Sequence, residues 1–294
     1  MRSTGSWDRQ QATGDVRGEM VRSDAHNVAA ARKHCVEGIA PVDGDVGSGE
    51  TATLPPPHSA VDRFQRAGFA ERVVIPLARA FGRYSRARVF GEDLIPGDGP
   101  VIYVGKHPRS YLYLETALLG VFAFWDSGRP PFRVLESAHA SAQRAPLLSW
   151  IRHHVGAIPA TQESALEVLR QGESLLIFPG GTRELYGAPD ELRWRGREGY
   201  ARLAVAAQVP VVPFAIAGAD QQHPIRLSIG RSSVWLPPIP LPVPLDFHFG
   251  APLSPPPEPV GSDIRGAVAE YAAQIHAATA GLLAAAIAQR RKRV

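Results

Sequence analysis

The stretch Pro100-Val101-Ile102-Tyr103-Val104-Gly105-Lys106-His107-Pro108-Arg109-Ser110 decides the fold class. Pro100–Val104 is a short apolar run with branched and aromatic side chains, which predicts a buried strand. Gly105–Ser110 is polar and contains a proline, so a loop is expected there. Tyr111–Trp125 is apolar and long enough for a helix. Strand, short loop and helix in that order are the unit from which parallel sheets are built.

The same rhythm continues downstream. Phe132–Leu135 reads as a strand, and Pro146–His154 as a short helix followed by Val155–Pro159. Gln162–Gln171 reads as a helix, and Ser174–Phe178 as a strand ending in a glycine turn. Gly199–Gln208 is a helix and Val209–Ala217 a strand. This alternation predicts an α/β domain with a mostly parallel central sheet flanked by helices. Trp235–Pro244 is apolar and rich in proline. Proline cannot donate to a ladder, so this stretch is excluded from a central strand and is expected as an exposed apolar loop. An alanine-rich helix is expected over 263–289, closed by Arg290-Arg291-Lys292-Arg293. No internal repeat is present.

Upstream, residues 1–58 are rich in Gly, Ser, Asp, Arg and Thr and end just after Pro55-Pro56-Pro57. Such a segment buries too little apolar surface to offset its ordering entropy. It reads as a disordered tail, with a short helix near Val28–Val36, before a folded domain over 59–294. Residues 61–88 place Phe64, Phe69, Val73, Val74, Leu77 and Phe81 at helical spacing. Between them lie Arg63, Arg66, Arg72, Arg79, Arg83, Arg86 and Arg88, opposed by Asp62 and Glu71. Pro76 is expected to kink or divide this basic amphipathic helix. Its composition suits an anionic membrane surface, and equally a surface helix packed on its own domain.

The 294 residues are 45% apolar and 20% charged, enough for a normal core, with a formal charge of +4. The single cysteine, Cys35, excludes an intrachain disulfide and a cysteine-rich zinc site, and fits a reducing compartment. His153-His154 are adjacent rather than one helical turn apart, so no metal is expected. Gly99 and Gly105-Lys106 are one residue too far apart for a nucleotide phosphate loop. The terminal basic cluster lacks interleaved aromatics, so no nucleic-acid partner is expected, and membrane headgroups or solvation suit it better. The N-terminus has no apolar run of about 7–15 residues of the secretory kind. No uncharged apolar run of about 18 residues is evident, the nearest being Ala277–Ala288. Membrane contact is therefore expected to be peripheral, on the cytoplasmic face.

Two loops carry candidate chemistry. In open α/β sheets active residues sit at the carboxyl ends of strands, which is where His107 falls. A neutral imidazole there can take a proton from a hydroxyl; a histidine so placed is also often structural. In Leu176-Ile177-Phe178-Pro179-Gly180-Gly181-Thr182-Arg183-Glu184, a strand runs into paired glycines, a hydroxyl and a guanidinium. Glycines let the backbone approach a ligand, and Arg183 can hold an oxyanion bidentately. The alternative is a tight turn with Arg183 and Glu184 as a surface ion pair.

Taken in order, the His107 loop, Gly156-Ala157-Ile158-Pro159, the Phe178–Glu184 loop and Val209-Pro210-Val211-Val212-Pro213 resemble the four motifs of the lysophospholipid acyltransferase superfamily. The resemblance covers roughly residues 61–255. Gly-Gly-Thr-Arg-Glu is similar to the third motif of the diacylglycerol acyltransferase and phytyl-ester-synthase-like branch, as are segments 192–204 and 241–250. The resemblance implies a glycerolipid-acyltransferase-like fold and transfer of a fatty acyl group from acyl-CoA or acyl-carrier protein to a lipid hydroxyl. The acceptor it implies is a lysophospholipid, diacylglycerol or long-chain alcohol. No cofactor is implied beyond the donor. His107 is then the base. Gly180, Gly181, Thr182 and Arg183 hold the acceptor or the donor phosphates, with Lys106, Arg109 and Glu184 in the same substrate-binding set.

The sequence departs from the family at two places. The acid five residues after the histidine is replaced by Leu112, and the nearest acid is Glu115. Either Glu115, one helical turn deeper, joins His107 as a catalytic residue, or a backbone carbonyl orients the imidazole. The arginine of the second motif is replaced by Ala160 or Thr161, which favours a neutral acceptor. A catalytically degenerate lipid-binding member, and a hydrolase using water or Ser110, are the other readings.

Overall fold

The computed structural model describes residues 68–109, 114–129, 132–136, 156–229, 232–237, 239–257 and 264–292. The tail at 1–58, the helix expected at Pro146–His154, Ser110, Leu112 and the start of the amphipathic helix lie outside these residues. A π-helical turn at Ala70–Val74 leads into helix α1 (Ile75–Tyr84). Pro76 sits in the first turn of α1, directly after the π-helical turn, so a change of helical winding and not a break stands where a kink or division is expected. Strand β1 (Arg88–Phe90) and β2 (Ile102–Gly105) follow. Helix α2 (Leu114–Gly120) continues as a π-helical segment, Val121–Trp125. Then come β3 (Phe132–Glu136), β4 (Ala157–Pro159), α3 (Gln162–Arg170) and β5 (Ser174–Ile177). A 3-10 turn at Gly181–Tyr186, helix α4 (Gly199–Ala207) and β6 (Val211–Ala217) come next. Strands β7 (Ile225–Ile229) and β8 (Ser232–Leu236) form a separate antiparallel hairpin. Strand β9 (Asp246–Phe249) and α5 (Ile264–Arg291) come last, and short helical turns lie at Glu92–Leu94 and Ala219–Gln222.

Seven strands form one sheet in the order β1-β9-β6-β2-β5-β3-β4. Strands β6, β2, β5, β3 and β4 run parallel, while β9 and β1 run the other way. The carboxyl ends of β6, β2 and β5 therefore share one edge with the starts of β9 and β1. Along β2 and the residue before it, Val101 and Tyr103 face a core built with α1 and α2, and Ile102 and Val104 face a core built with α3, α4 and α5. Burial on both faces explains why the strand reads as a continuous apolar run rather than an alternating one. Pro213 lies inside central β6 without breaking it. Its carbonyl accepts from Gly250 N at 2.8 Å just past the end of β9, so its missing N–H falls where that ladder has stopped.

The expected α/β architecture is present. Trp235 and Leu236, expected at the start of an exposed apolar loop, instead close a hairpin strand outside the central sheet, with Trp235 buried. Two more expectations are corrected. Helix α5 is long and apolar enough to cross a membrane by length and composition. It lies along the sheet, however, burying Val268, Tyr271, Ala272, Ile275, Thr279, Leu283, Ala286 and Arg290 on one face. Arg290 is not a solvated member of a basic cluster. It is buried, donates to Pro244 O at 2.6 Å and approaches Asp246 at 3.9 Å, and Arg88 holds the same Asp246 at 2.6 Å. Two cations around one buried carboxylate make its burial tolerable.

Candidate active site

Strands β2 and β5 are paired through Val104 and Ile177, so the loops leaving them emerge side by side. The β2 loop brings Lys106, His107 and Arg109, and the β5 loop brings Phe178–Glu184. A Cβ on Gly105 would fall 2.6–2.8 Å from the Phe214 ring, so glycine is needed for the chain to turn there. Phe178 packs edge-on against Phe214 at 5.9 Å, and the His107 ring leans on Phe178 at 4.9 Å. Aromatic packing thereby fixes the plane of the imidazole.

The His107 Nδ1 lies 2.7 Å from Pro108 O. A carbonyl oxygen accepts, so Nδ1 carries the hydrogen and the neutral ring presents its lone pair at Nε2. Burial pushes the His107 pKa below the ordinary histidine range, partly offset by the Pro108 bond. The ring is therefore a neutral base near pH 7. Glu115 is fully buried in the first turn of α2. Among the described residues the imidazole's hydrogen-bond partner is the Pro108 carbonyl.

Glu184 is not a surface ion-pair partner of Arg183. Its carboxylate is fully buried and accepts from His107 N at 2.8 Å, Trp194 Nε1 at 2.9 Å and Arg193 N at 3.2 Å. Burial raises its pKa, and these three bonds, with the Lys106 charge, oppose the rise. A Cβ on Gly180 would sit 2.3 Å from the Glu184 side chain, so the first glycine makes room for this strut. Gly181 follows at φ +53°, a conformation other residues adopt at a cost. The Thr182 side chain lies outside the described residues.

Lys106 donates to the carbonyls of Ala188, Pro189 at 3.0 Å and Glu191 at 2.9 Å. Its three donors hold the turn that follows the β5 loop, which is a positioning role. Arg109 donates to Gly187 O at 2.7 Å and lies 4.2 Å over the Trp235 ring. It joins the β7–β8 hairpin to the site. Arg183 is exposed at the mouth. Arg197 donates to Pro179 O at 3.2 Å, beside the glycine turn and close enough to Arg183 for their charges to repel. The resemblance of segment 192–204 to the family assigns Arg197 no role, and its place beside the turn emerges from the structure. A base and two guanidiniums around a glycine turn can activate a hydroxyl and bind an anion.

The Acyltransferase family model matches residues 86–217, which contain the β2 and β5 loops and the segment after them but not the β7–β8 hairpin. That stretch of the chain is similar to the Acyltransferase family. Over 131 residues it is 32% identical to the human "DGAT1/2-independent enzyme synthesizing storage lipids", covering 43% of this chain and 38% of that protein. Over 137 residues it is 28% identical to Arabidopsis thaliana "Phytyl ester synthase 1, chloroplastic", covering 43% of this chain and 18% of that one. The matched region thus spans well under half the length of these relatives. The crystal structure of the 1-acyl-sn-glycerophosphate acyltransferase PlsC from Thermotoga maritima aligns with a TM-score of 0.45 and 19% identity. That alignment covers 73% of this chain and 85% of PlsC.

Proposed function

We propose that the domain is an O-acyltransferase moving a fatty acyl group from acyl-CoA or acyl-carrier protein to a lipid hydroxyl. The observation that carries this reading is the His107 imidazole, with Nδ1 tied to Pro108 O and Nε2 presented as a neutral base beside the Gly180–Arg183 turn. His107 Nε2 takes the acceptor's hydroxyl proton, and the oxygen attacks the thioester carbonyl. The tetrahedral intermediate then expels the thiolate, which recovers the proton from the imidazolium. Arg183, with Arg197 and the glycine turn, binds the donor phosphates. The printed names of the storage-lipid and phytyl-ester relatives and the absence of an arginine at Ala160 and Thr161 favour a neutral acceptor, diacylglycerol or a long-chain alcohol.

The reading includes peripheral attachment to the cytoplasmic face of a membrane. Val73, Leu77 and Tyr84 are 46%, 55% and 45% exposed along one side of the α1 region, among Arg72, Arg79 and Arg83. Exposed apolar side chains bordered by arginines suit an anionic bilayer.

The test is incubation with radiolabelled acyl-CoA and a panel of diacylglycerol, long-chain alcohols, lysophosphatidate and other lysophospholipids. Labelled lipid that forms with wild type and not with His107→Ala supports transfer and names the acceptor. Free fatty acid as the sole product, with acceptor present, overturns it in favour of hydrolysis.

A further inference from the structure

Helix α1 and the α2–π-helical segment enclose a groove of about 320 Å³ away from the β2 and β5 loops. Its floor is apolar: Leu118, Val121 and Phe122. Its rim is basic: Arg79, Arg83 and Arg86. Asp126, also at the rim, is occupied by Arg79 at 2.8 Å. Among the described residues, no carboxylate lies within ion-pair distance of Arg83 or Arg86.

Arg86 breaks a local rule. Helix α1 ends with Ala87 N bonded to Gly82 O at 2.7 Å and Arg86 N to Arg83 O at 3.1 Å, the paired bonds of a left-handed helix stop. That stop places Arg86 at φ +45°, where glycine is the favoured residue. An arginine held there supplies what glycine cannot, a guanidinium on the groove rim. One of its nitrogens donates to Pro242 O at 3.1 Å, which steadies it without cancelling its charge.

We propose that this groove binds one anionic phospholipid, its phosphate between Arg83 and Arg86 and an acyl segment against Leu118, Val121 and Phe122. Guanidiniums pair bidentately with phosphate oxygens. The apolar floor distinguishes an amphiphile from a free phosphate, which has no group to place there. The uncompensated positive rim disfavours a zwitterionic headgroup carrying its own cation. The exposed stripe of Val73, Leu77 and Tyr84 runs along the π-helical turn and α1, so the ligand is reached from a lipid surface.

The probe is dihexanoylphosphatidylglycerol below its critical micelle concentration, titrated calorimetrically into the full chain. Saturable one-to-one binding is expected. It should weaken about tenfold or more in Arg83→Ala/Arg86→Gly, through loss of two charge-assisted contacts. Glycine at 86 keeps the helix stop and relieves its backbone, so that variant folds. Arg170→Ala/Arg291→Ala, which removes the same charge elsewhere, and Arg183→Ala, at the reaction centre, should bind as wild type does. Dihexanoylphosphatidylcholine and inorganic phosphate at equal concentration should not bind. Several results would overturn the proposal: no saturable binding, equal binding of phosphate or the zwitterionic lipid, unchanged affinity in the groove variant, or equal loss in either control.

Discussion

Glu184 accepts the backbone N–H of His107 through one carboxylate oxygen, at 2.8 Å, and the Trp194 indole N–H through the other, at 2.9 Å. One buried side chain therefore couples the β2 loop to the β5 loop and the segment after it. The relative position of base and glycine turn depends on that strut, which fits completely because Gly180 has no side chain.

Gly180→Ala places a methyl 2.3 Å from the Glu184 side chain. The strut must then shift, stranding buried donors at His107 and Trp194. A stability loss of about 1–3 kcal/mol is expected, the cost of an unpaired buried polar group, together with falling turnover. Thermal unfolding and single-turnover transfer, measured side by side, check both.

His107→Ala should lower acyl transfer by about 10²–10⁴-fold, the usual contribution of general-base catalysis, with the fold retained. Circular dichroism beside the radiolabel assay separates the two effects.

The depressed pKa of His107 fixes the sign of its pH dependence. Catalysis needs an unprotonated Nε2, so the acid limb of kcat/KM should have its midpoint below 6.5, the ordinary histidine value. The same shift bears on stability. The folded state binds this proton less readily than the unfolded one, so the contribution is complete above pH 6.5 and declines as pH falls from there. A midpoint above 6.5 would contradict the burial of the ring.

Glu115→Gln should leave that acid limb in place, because the imidazole is oriented by Pro108 O at 2.7 Å. A large shift of the limb would return Glu115 to the catalytic pair.

Arg183→Ala should raise KM for the acyl donor by about 10–100-fold, from the roughly 1.5–3 kcal/mol of a charge-assisted bond, with kcat little changed. Initial rates over a range of acyl-CoA concentrations give the split.

Periodicity located the buried elements closely. Gln162–Gln171 was expected and Gln162–Arg170 is found; Ser174–Phe178 was expected and Ser174–Ile177 is found. Strand β9 was not foreseen because Asp246 and His248 interrupt its apolar pattern, and all four of its residues are nonetheless buried. Asp246 is tolerated there through Arg88 and Arg290, which lie far away in sequence. Glu184 misled for the same reason. Beside a glycine turn it looks like a ligand-binding or surface acid, yet its partners come from residues 77 and 10 positions away. His107 and Arg183 stand out as candidates in the sequence because strand ends and glycine turns are local signals; the Pro108 bond, Lys106's grip on three carbonyls and Arg197's approach to the turn depend on tertiary geometry.

The pairing of β1 with β9 also sets an order of events during synthesis. Arg88 and its partner Asp246 are 158 residues apart, so at ribosomal rates of about 5–20 residues per second β1 waits on the order of ten to thirty seconds for its neighbour. Through that interval the edge of β1 has no strand to pair with, and an unpaired strand edge is prone to self-association in water until its partner is made.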